Sequence, residues 1–320
     1  MNILSLFDGM SCGRIAAERA GLQVNKYYAS EVDKYAIKVS QANWTDSIQL
    51  GDVTKWRDWD IDWKSIDLLI GGSPCQGFSF AGKQLAFNDP RSKLFFVYVD
   101  ILNHIRKHNP SVKFMLENVK MKKEHLDVIS EQLGVEPVFI NSALVSAQNR
   151  QRYYWANWEF GQPEDRGIVL ADVLEDGEVD RDKSYCIDAC YYKGGNPEQY
   201  FKKSRRKLVF NPAAIVGRKL DENGKRNDSL DQKPVQCLEV QSHSKSRCLS
   251  TVAKDTVVSP LEPGRYVGGK DYRKLTPVEC ERLQTVPDNY TAHVSNTQRY
   301  KMLGNGWTVD VIAHIFRSIK

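Results

Sequence analysis

The chain has 320 residues, enough for one large domain and a second small one. Its composition, 41% hydrophobic and 27% charged, is that of a soluble globular protein. An acid at position 8 interrupts any leader-like amino terminus and no apolar run reaches bilayer length, so neither a signal peptide nor a membrane span is expected and a cytoplasmic protein is. Seven cysteines, an odd number without zinc-ligand spacing, argue against a disulfide framework and a metal site. Most of them are expected to be buried as small hydrophobes.

Residues 1–160 alternate short apolar runs with amphipathic stretches, the pattern of a doubly wound α/β domain. Strands are expected at Asn2–Leu6, Lys26–Ser30, Leu68–Ile70, Lys113–Glu117, Val138–Asn141 and Tyr153–Ala156. Helices are expected between them at about Ser11–Ala20, Lys34–Asn43, Leu94–Lys107 and Glu124–Leu133, with Gly21 and Gly134 suited to helix ends. After about Ala171 the texture changes. Gly-Gly, Asn-Pro and Asn-Gly pairs cut the chain into short pieces, with β candidates at Lys207–Phe210 and Pro234–Val240. Thr276–Gln284 reads as a helix capped by Thr276 with Pro277 at its first position, and Thr308–Ile319 as an amphipathic helix. The expected organisation is a catalytic and cofactor-binding domain over 1–174, completed by about 291–320, and a small irregular β-rich domain over 175–290.

Charge follows the same division. The net charge is +5, but residues 181–274 carry 20 Lys and Arg against 11 Asp and Glu, which leaves the rest of the chain slightly acidic. A solvated lysine-rich surface and a phosphate-facing domain both fit that surplus.

The first strand runs into Phe7-Asp8-Gly9-Met10-Ser11-Cys12-Gly13, a glycine-bearing turn that is neither GxGxxG nor a Walker A, so a phosphate loop is disfavoured. Glu31 follows the second strand, 18 residues beyond Gly13, where such folds place an acid on ribose hydroxyls. Asp52 lies where it could accept from an adenine amino group, and Phe7 and Trp307 are aromatics suited to a sulfonium. Singly, each is as readily a solvated acid or a core aromatic. As a set they point to S-adenosylmethionine, a cationic nucleoside without phosphate.

Leu68–Ser79 places Cys75, in Gly72-Ser73-Pro74-Cys75-Gln76, just past a buried strand. Phe114–Val119 delivers Glu117 at another strand's end, and Gln148-x-Arg150-x-Arg152 brings two arginines, two apart, to one face. A thiol, an acid and an arginine pair at one sheet edge suit covalent attack on an electron-poor ring.

In this order, with Arg273–Val286 and Gly304-Asn305-Gly306, these stretches resemble the cytosine-C5 DNA methyltransferase family from residue 2 to residue 317. The resemblance implies methyl transfer from S-adenosylmethionine to C5 of a flipped-out cytosine in a specific double-stranded DNA sequence. It makes Cys75 the nucleophile at C6 and Glu117, held partly protonated, the partner of N3 and the exocyclic amine. Arg152 would hold O2, and Arg150 would stabilise the adduct or a nearby phosphate. It places Phe7, Asp8, Gly9, Met10, Gly13, Glu31, Val32, Asp52, Val53, Pro74, Leu94, Asn305 and Trp307 around the cofactor. Gln76, Ser79, Arg91 and Thr251 would touch DNA, as could the basic residues 202–207. The resemblance implies a monomer without metal.

Trp307 departs from the small aliphatic that many bacterial members carry and, with Asp8-Gly9, resembles the animal de novo enzymes, whereas Gln76–Ser79 follows the bacterial and phage pattern. A minimal bacterial or phage enzyme is expected. A related enzyme acting on tRNA and a catalytically dead DNA-binding paralogue stay open. The first lacks its Cys-Phe-Thr element here, and the intact Cys75, Glu117 and Arg152 argue against the second.

Overall fold

In the computed structural model the described residues are 1–73, 93–194 and 272–319, with 200, 203–210, 213–219, 221, 227, 229, 231, 235–240 and 256–257 between them. The apolar runs of the first half become one sheet of seven strands: β1 (Asn2–Leu6), β2 (Lys26–Ser30), β3 (Ile48–Gln49), β4 (Leu68–Gly71), β5 (Lys113–Val119), β6 (Val138–Asn141) and β7 (Gln151–Ala156). Their order is β3-β2-β1-β4-β5-β7-β6. Neighbours from β3 to β5 pair in parallel, while β7 runs antiparallel to both β5 and β6. Strand order therefore reverses between β1 and β4, the switch point above which open α/β sheets open a crevice.

Both faces of the sheet are covered, which is why its strands read as continuous apolar runs. Successive residues point to opposite faces. Ile3, Tyr27, Leu68, Ile70 and Met115 join one core, with α1 (Cys12–Arg19) and the C-terminal helix α7 (Val309–Arg317). Leu4, Tyr28, Leu69, Phe114 and Leu116 join the other, beneath α3 (Lys93–His108) and α4 (Lys123–Leu133). At about 25 cal/mol per Å² of buried apolar surface, these two cores supply the main force holding the sheet.

Caps set the helix ends. Asp33 accepts from the Tyr35 backbone N–H at 2.9 Å and opens α2 (Lys34–Asn43). Gly134, at φ +74°, closes α4 as expected. The helix expected at Thr276–Gln284 forms as α5 (Pro277–Leu283): Thr276 Oγ1 accepts from Glu279 N, and Glu279 Oε2 accepts from Thr276 N at 2.8 Å. A helix absent from the sequence reading, α6 (Asn296–Asn305), lies between α5 and α7. It carries few apolar residues, and what it buries includes Arg299 and Gly304, so no hydrophobic stripe announces it.

In the basic stretch, β8 (Leu208–Phe210) pairs with β12 (Tyr272–Lys274), while β9 (Ala213–Arg218) pairs with β10 (Val235–Val240) and β11 (Thr256–Val257). Leu275, Cys280, Leu283 and Tyr290 are buried in the same core as Ile3 and Ile15. Of the cysteines with described side chains, Cys12 and Cys280 are buried and Cys186 and Cys190 are exposed, so burial is not general. No helix among the described residues is long and apolar enough to cross a membrane, and none of their His, Cys, Asp or Glu side chains group to hold a metal ion.

Candidate active site

The carboxyl ends of β1, β2, β4 and β5 and the amino end of antiparallel β7 meet at one edge of the sheet. A cavity of about 480 Å³ opens there. Its wall includes Phe7, Asp8, Gly9, Glu31, Val32, Asp52, Val53, Leu94, Asn305 and Trp307 from the expected cofactor set, together with Glu117, Arg150 and Arg152. Met10 and Gly13 do not line it. Met10 is buried behind the turn, its carbonyl accepting from the Tyr290 hydroxyl at 2.8 Å. Gly13 lets α1 press on the sheet, since a Cβ there would lie 2.4 Å from Ile70 Cδ1. Both shape the wall from behind.

The turn after β1 is tight: Phe7, Gly9 and Ser11 all have φ near +60°. Glu31 ties this turn to the next. Its Oε2 accepts from Gly9 N at 2.8 Å, and its Oε1 from Val32 N at 2.7 Å and Asp33 N at 2.8 Å. A carboxylate offers about four acceptor positions, so three are spent on backbone and about one remains toward the cavity. Asp52 Oδ1 accepts from Thr54 N and Oγ1, and these bonds hold its carboxyl below the usual range. Asp33 pairs with Lys301 on α6 at 2.7 Å, an exposed contact across the cavity mouth. Val32 is 71% exposed, an apolar face turned to open space.

Asp8 is buried, and its partners are hydroxyls: Tyr27 donates to Oδ1 at 2.7 Å and Ser11 to Oδ2 at 2.6 Å. Burial raises its carboxyl to about 6 against the pull of those hydrogen bonds, and Glu31 adds to the rise.

At the other end, Glu117 stands between two donors. Arg152 Nε pairs with its Oε1 at 2.8 Å, and Trp307 Nε1 donates to its Oε2 at 3.1 Å. The space is close. A Cβ on Gly72 would come within 2.9 Å of Trp307 Nε1 and 3.0 Å of Glu117 Oε2, so only glycine fits between them. Arg150 differs from Arg152. It is buried, and its two Nη atoms donate to the carbonyls of Ile187, Gly304 and Gly306 and to Cys186 Sγ. Gln284 donates to the carbonyls of Leu303 and Gly306, and its own Oε1 accepts from Gln148 and Thr308. Together they brace the turn that carries Trp307.

The profile of the family described as C-5 cytosine-specific DNA methylase matches residues 1–320. The chain belongs to that family. It is 30% identical to the Type II methyltransferase M.NlaX of Neisseria lactamica, over 99% of this chain and 96% of that protein. It is 29% identical to M.HpaII of Haemophilus parainfluenzae, over 97% of this chain and 86% of that one. The fold is similar to that of the Entamoeba histolytica methyltransferase EhMeth, with a TM-score of 0.62 at 16% identity, covering 98% and 96% of the two chains. The protein is thus a DNA cytosine-C5 methyltransferase, with DNA as substrate and S-adenosylmethionine as the methyl donor its family implies.

In this methylase Gly72 and Ser73 line the cavity, three and two residues before the expected nucleophile. Pro74, Cys75, Gln76, Ser79, Arg91 and Thr251 lie outside the described residues. Lys207, grouped above with phosphate-binding residues, is buried, and its Nζ donates to Asp180 and to the Tyr200 hydroxyl. Its charge is used within the fold, so it is not available to a phosphate. Arg205 pairs with Asp188 at 3.0 Å but stays exposed. Sequence reasoning missed Ser73, Asn118, Gln298 and Lys301 on the cavity wall. Asn118 sits inside a motif it had identified, donating to Ser73 Oγ at 3.2 Å, whereas Gln298 and Lys301 belong to the unforeseen α6.

Proposed function

We propose that the methylase modifies a cytosine flipped out of double-stranded DNA, with Cys75 as nucleophile and Glu117 and Arg152 as the groups that hold the base. One observation carries this reading. A single cavity at the switch point is walled at one end by Asp8, Glu31 and Asp52 and at the other by the Glu117–Arg152 pair.

The first end fits S-adenosylmethionine. Glu31 and Asp52 keep acceptor capacity for ribose and adenine, Val32 offers an apolar face, and the buried carboxylate of Asp8 matches a cation. Lys301, the cavity's basic residue on that side, is paired with Asp33, so nothing there calls for a phosphate. When bound, S-adenosylmethionine supplies an electrophilic methyl group.

The chain's own residues prepare the cytosine. The Cys75 thiolate forms a bond to C6, and the ring's electron pair moves toward C5, which becomes nucleophilic. Glu117 hydrogen-bonds N3 and the exocyclic amine, giving a proton toward N3 as charge develops there. Arg152 orients the Glu117 carboxyl and donates to O2. Arg150 acts through the wall it braces, since its Nη atoms are taken by carbonyls. After C5 has gained its methyl group, water takes the C5 proton, the electrons of that C–H bond expel the Cys75 thiolate from C6, and N3 returns its proton to Glu117. Gln76, Ser79, Arg91 and Thr251 would hold the surrounding DNA.

The recognition unit is proposed to occupy the basic stretch between about residues 210 and 274, because Ile187, Tyr191 and Val209 before it and Leu275, Leu283 and Tyr290 after it share the core of the large domain. We read the enzyme as a monomer. A bacterial restriction–modification role in the cytoplasm follows the naming of its Type II relatives. Bisulfite sequencing of DNA treated with the protein and S-adenosylmethionine tests the reading. Wild type is expected to leave methylated cytosines at one sequence, and Cys75→Ala none while still retarding that DNA. Full methylation by Cys75→Ala would refute the nucleophile.

A further inference from the structure

The cavity holds five carboxylates, and four are accounted for by partners among the described residues. Glu31 accepts three backbone N–H groups, Asp33 pairs with Lys301, Glu117 pairs with Arg152, and Asp52 caps the turn at Thr54. Asp8 differs from all of them. It is only 8% exposed, yet among the described residues its carboxylate meets neither a cation nor a backbone N–H, only the hydroxyls of Ser11 and Tyr27 and, beside them, that of Ser5. Burying a carboxylate without a counter-charge is costly, and neutral hydroxyls offset only part of that cost.

Its position is also informative. A side chain placed on Gly13 would lie 3.0 Å from the Tyr27 hydroxyl and 3.5 Å from the Trp307 ring. The Asp8–Tyr27 pair therefore stands behind Trp307, whose Nε1 reaches Glu117. The Trp307 ring thus spans from the neighbourhood of this pair to Glu117, and a methyl group must be delivered along it. A donor carrying its positive charge on the sulfur beside that methyl group brings the missing counter-charge to the same neighbourhood.

We infer that Asp8 is a specificity-determining residue that balances the fixed positive charge of S-adenosylmethionine, so that the cavity prefers the charged methyl donor to the neutral thioether, S-adenosylhomocysteine, left after transfer. The inference rests on the cofactor reading above. It gives the buried acid a role in turnover: once the methyl group has left, the attraction that held the donor is gone, and the product is released more readily.

The titratable groups around Asp8 are Tyr27 on β2, Glu31 at that strand's end, Cys12 on α1 and Tyr290 after α5. Burial holds Cys12 up at about 12 and pushes Tyr27 and Tyr290 well above their ordinary range, so these three stay neutral near pH 6. Asp8, raised to about 6 by burial, is half ionised there, and a bound cation would drive it fully to the anion.

Isothermal titration of both ligands tests this directly. In the wild type at pH 6, across buffers of different ionisation enthalpy, binding of S-adenosylmethionine is expected to release about half a proton. Binding of S-adenosylhomocysteine is expected to release essentially none. Asp8→Asn should abolish the difference and lower the donor-to-product affinity ratio about tenfold, the effect of a modest charge interaction in a partly buried site. Equal weakening of both ligands by Asp8→Asn, or donor binding without proton release in the wild type, would overturn the inference. The wild-type arm decides even if the variant fails to fold. A wild-type chain that binds neither molecule would instead refute the cofactor reading.

Discussion

Asp8 and Glu117 line the same cavity and are equally buried, each 8% exposed, yet the molecule treats them differently. Glu117 sits between the Arg152 guanidinium and the Trp307 indole N–H, so its orientation is fixed before any ligand arrives. Asp8 receives only hydroxyl donors, and its carboxyl rises to about 6. A preorganised carboxylate can hold a base through a reaction, because little must rearrange as charge develops. An uncompensated one is better suited to respond to the charge of what binds. The two ends of the cavity therefore divide the work between holding a base and sensing a cation.

The largest expected break in that division comes at the preorganised end. Glu117→Gln keeps the shape but removes the acid, and a positioned acid or base contributes about 10²–10⁴ in rate, so turnover should fall by that order. The affinity for S-adenosylmethionine should stay within about twofold, since Asp8 and Glu31 are untouched. Single-turnover kinetics beside titration of the donor separates the two. A variant that lost donor affinity and rate together would erase the distinction between the ends.

A smaller effect sharpens the other side. Asp8 ionises at 3.8 in an unperturbed chain and at about 6 in the folded protein. The folded state thus holds the proton longer, so stability is greatest below 3.8, falls as pH rises toward 6 and is level above. The full penalty is on the order of 3 kcal/mol. Without ligand, Asp8→Asn should be more stable than wild type at pH 8 by up to about that amount, and much less so at pH 4. Denaturant titrations at the two pH values check the sign, and a variant less stable at pH 8 than at pH 4, relative to wild type, would contradict it.

Much of this was readable before the fold was seen, for identifiable reasons. Strands buried on both faces must be continuously apolar, so Asn2–Leu6, Lys26–Ser30 and Leu68–Ile70 stood out. The cap at Thr276 also announced its helix, because capping uses local residues. Helix α6 did not, since its buried face contains Arg299 and Gly304, and with it went Gln298 and Lys301. The acids and arginines of the site were legible as types and positions, but not their partners. The bond from Trp307 to Glu117 joins residues 190 apart in sequence, and nothing local foretells it. Nor does spacing reveal that Arg150 is spent on carbonyls while Arg152, two residues on, faces a carboxylate. Lys207 looked like its basic neighbours, yet Asp180 and Tyr200 draw it into the interior.

The central claim is that this cavity works on cytosine through a covalent bond from Cys75. DNA containing the methylase's target site with 5-fluorocytosine in place of cytosine tests it most directly, because fluorine cannot leave as the C5 proton does. Incubated with S-adenosylmethionine and separated under denaturing conditions, the protein should migrate as a covalent protein–DNA species, and peptide mapping should place the attachment at Cys75. Enzyme that methylates ordinary cytosine at the same site yet forms no such species, or forms it at another residue, would contradict the account.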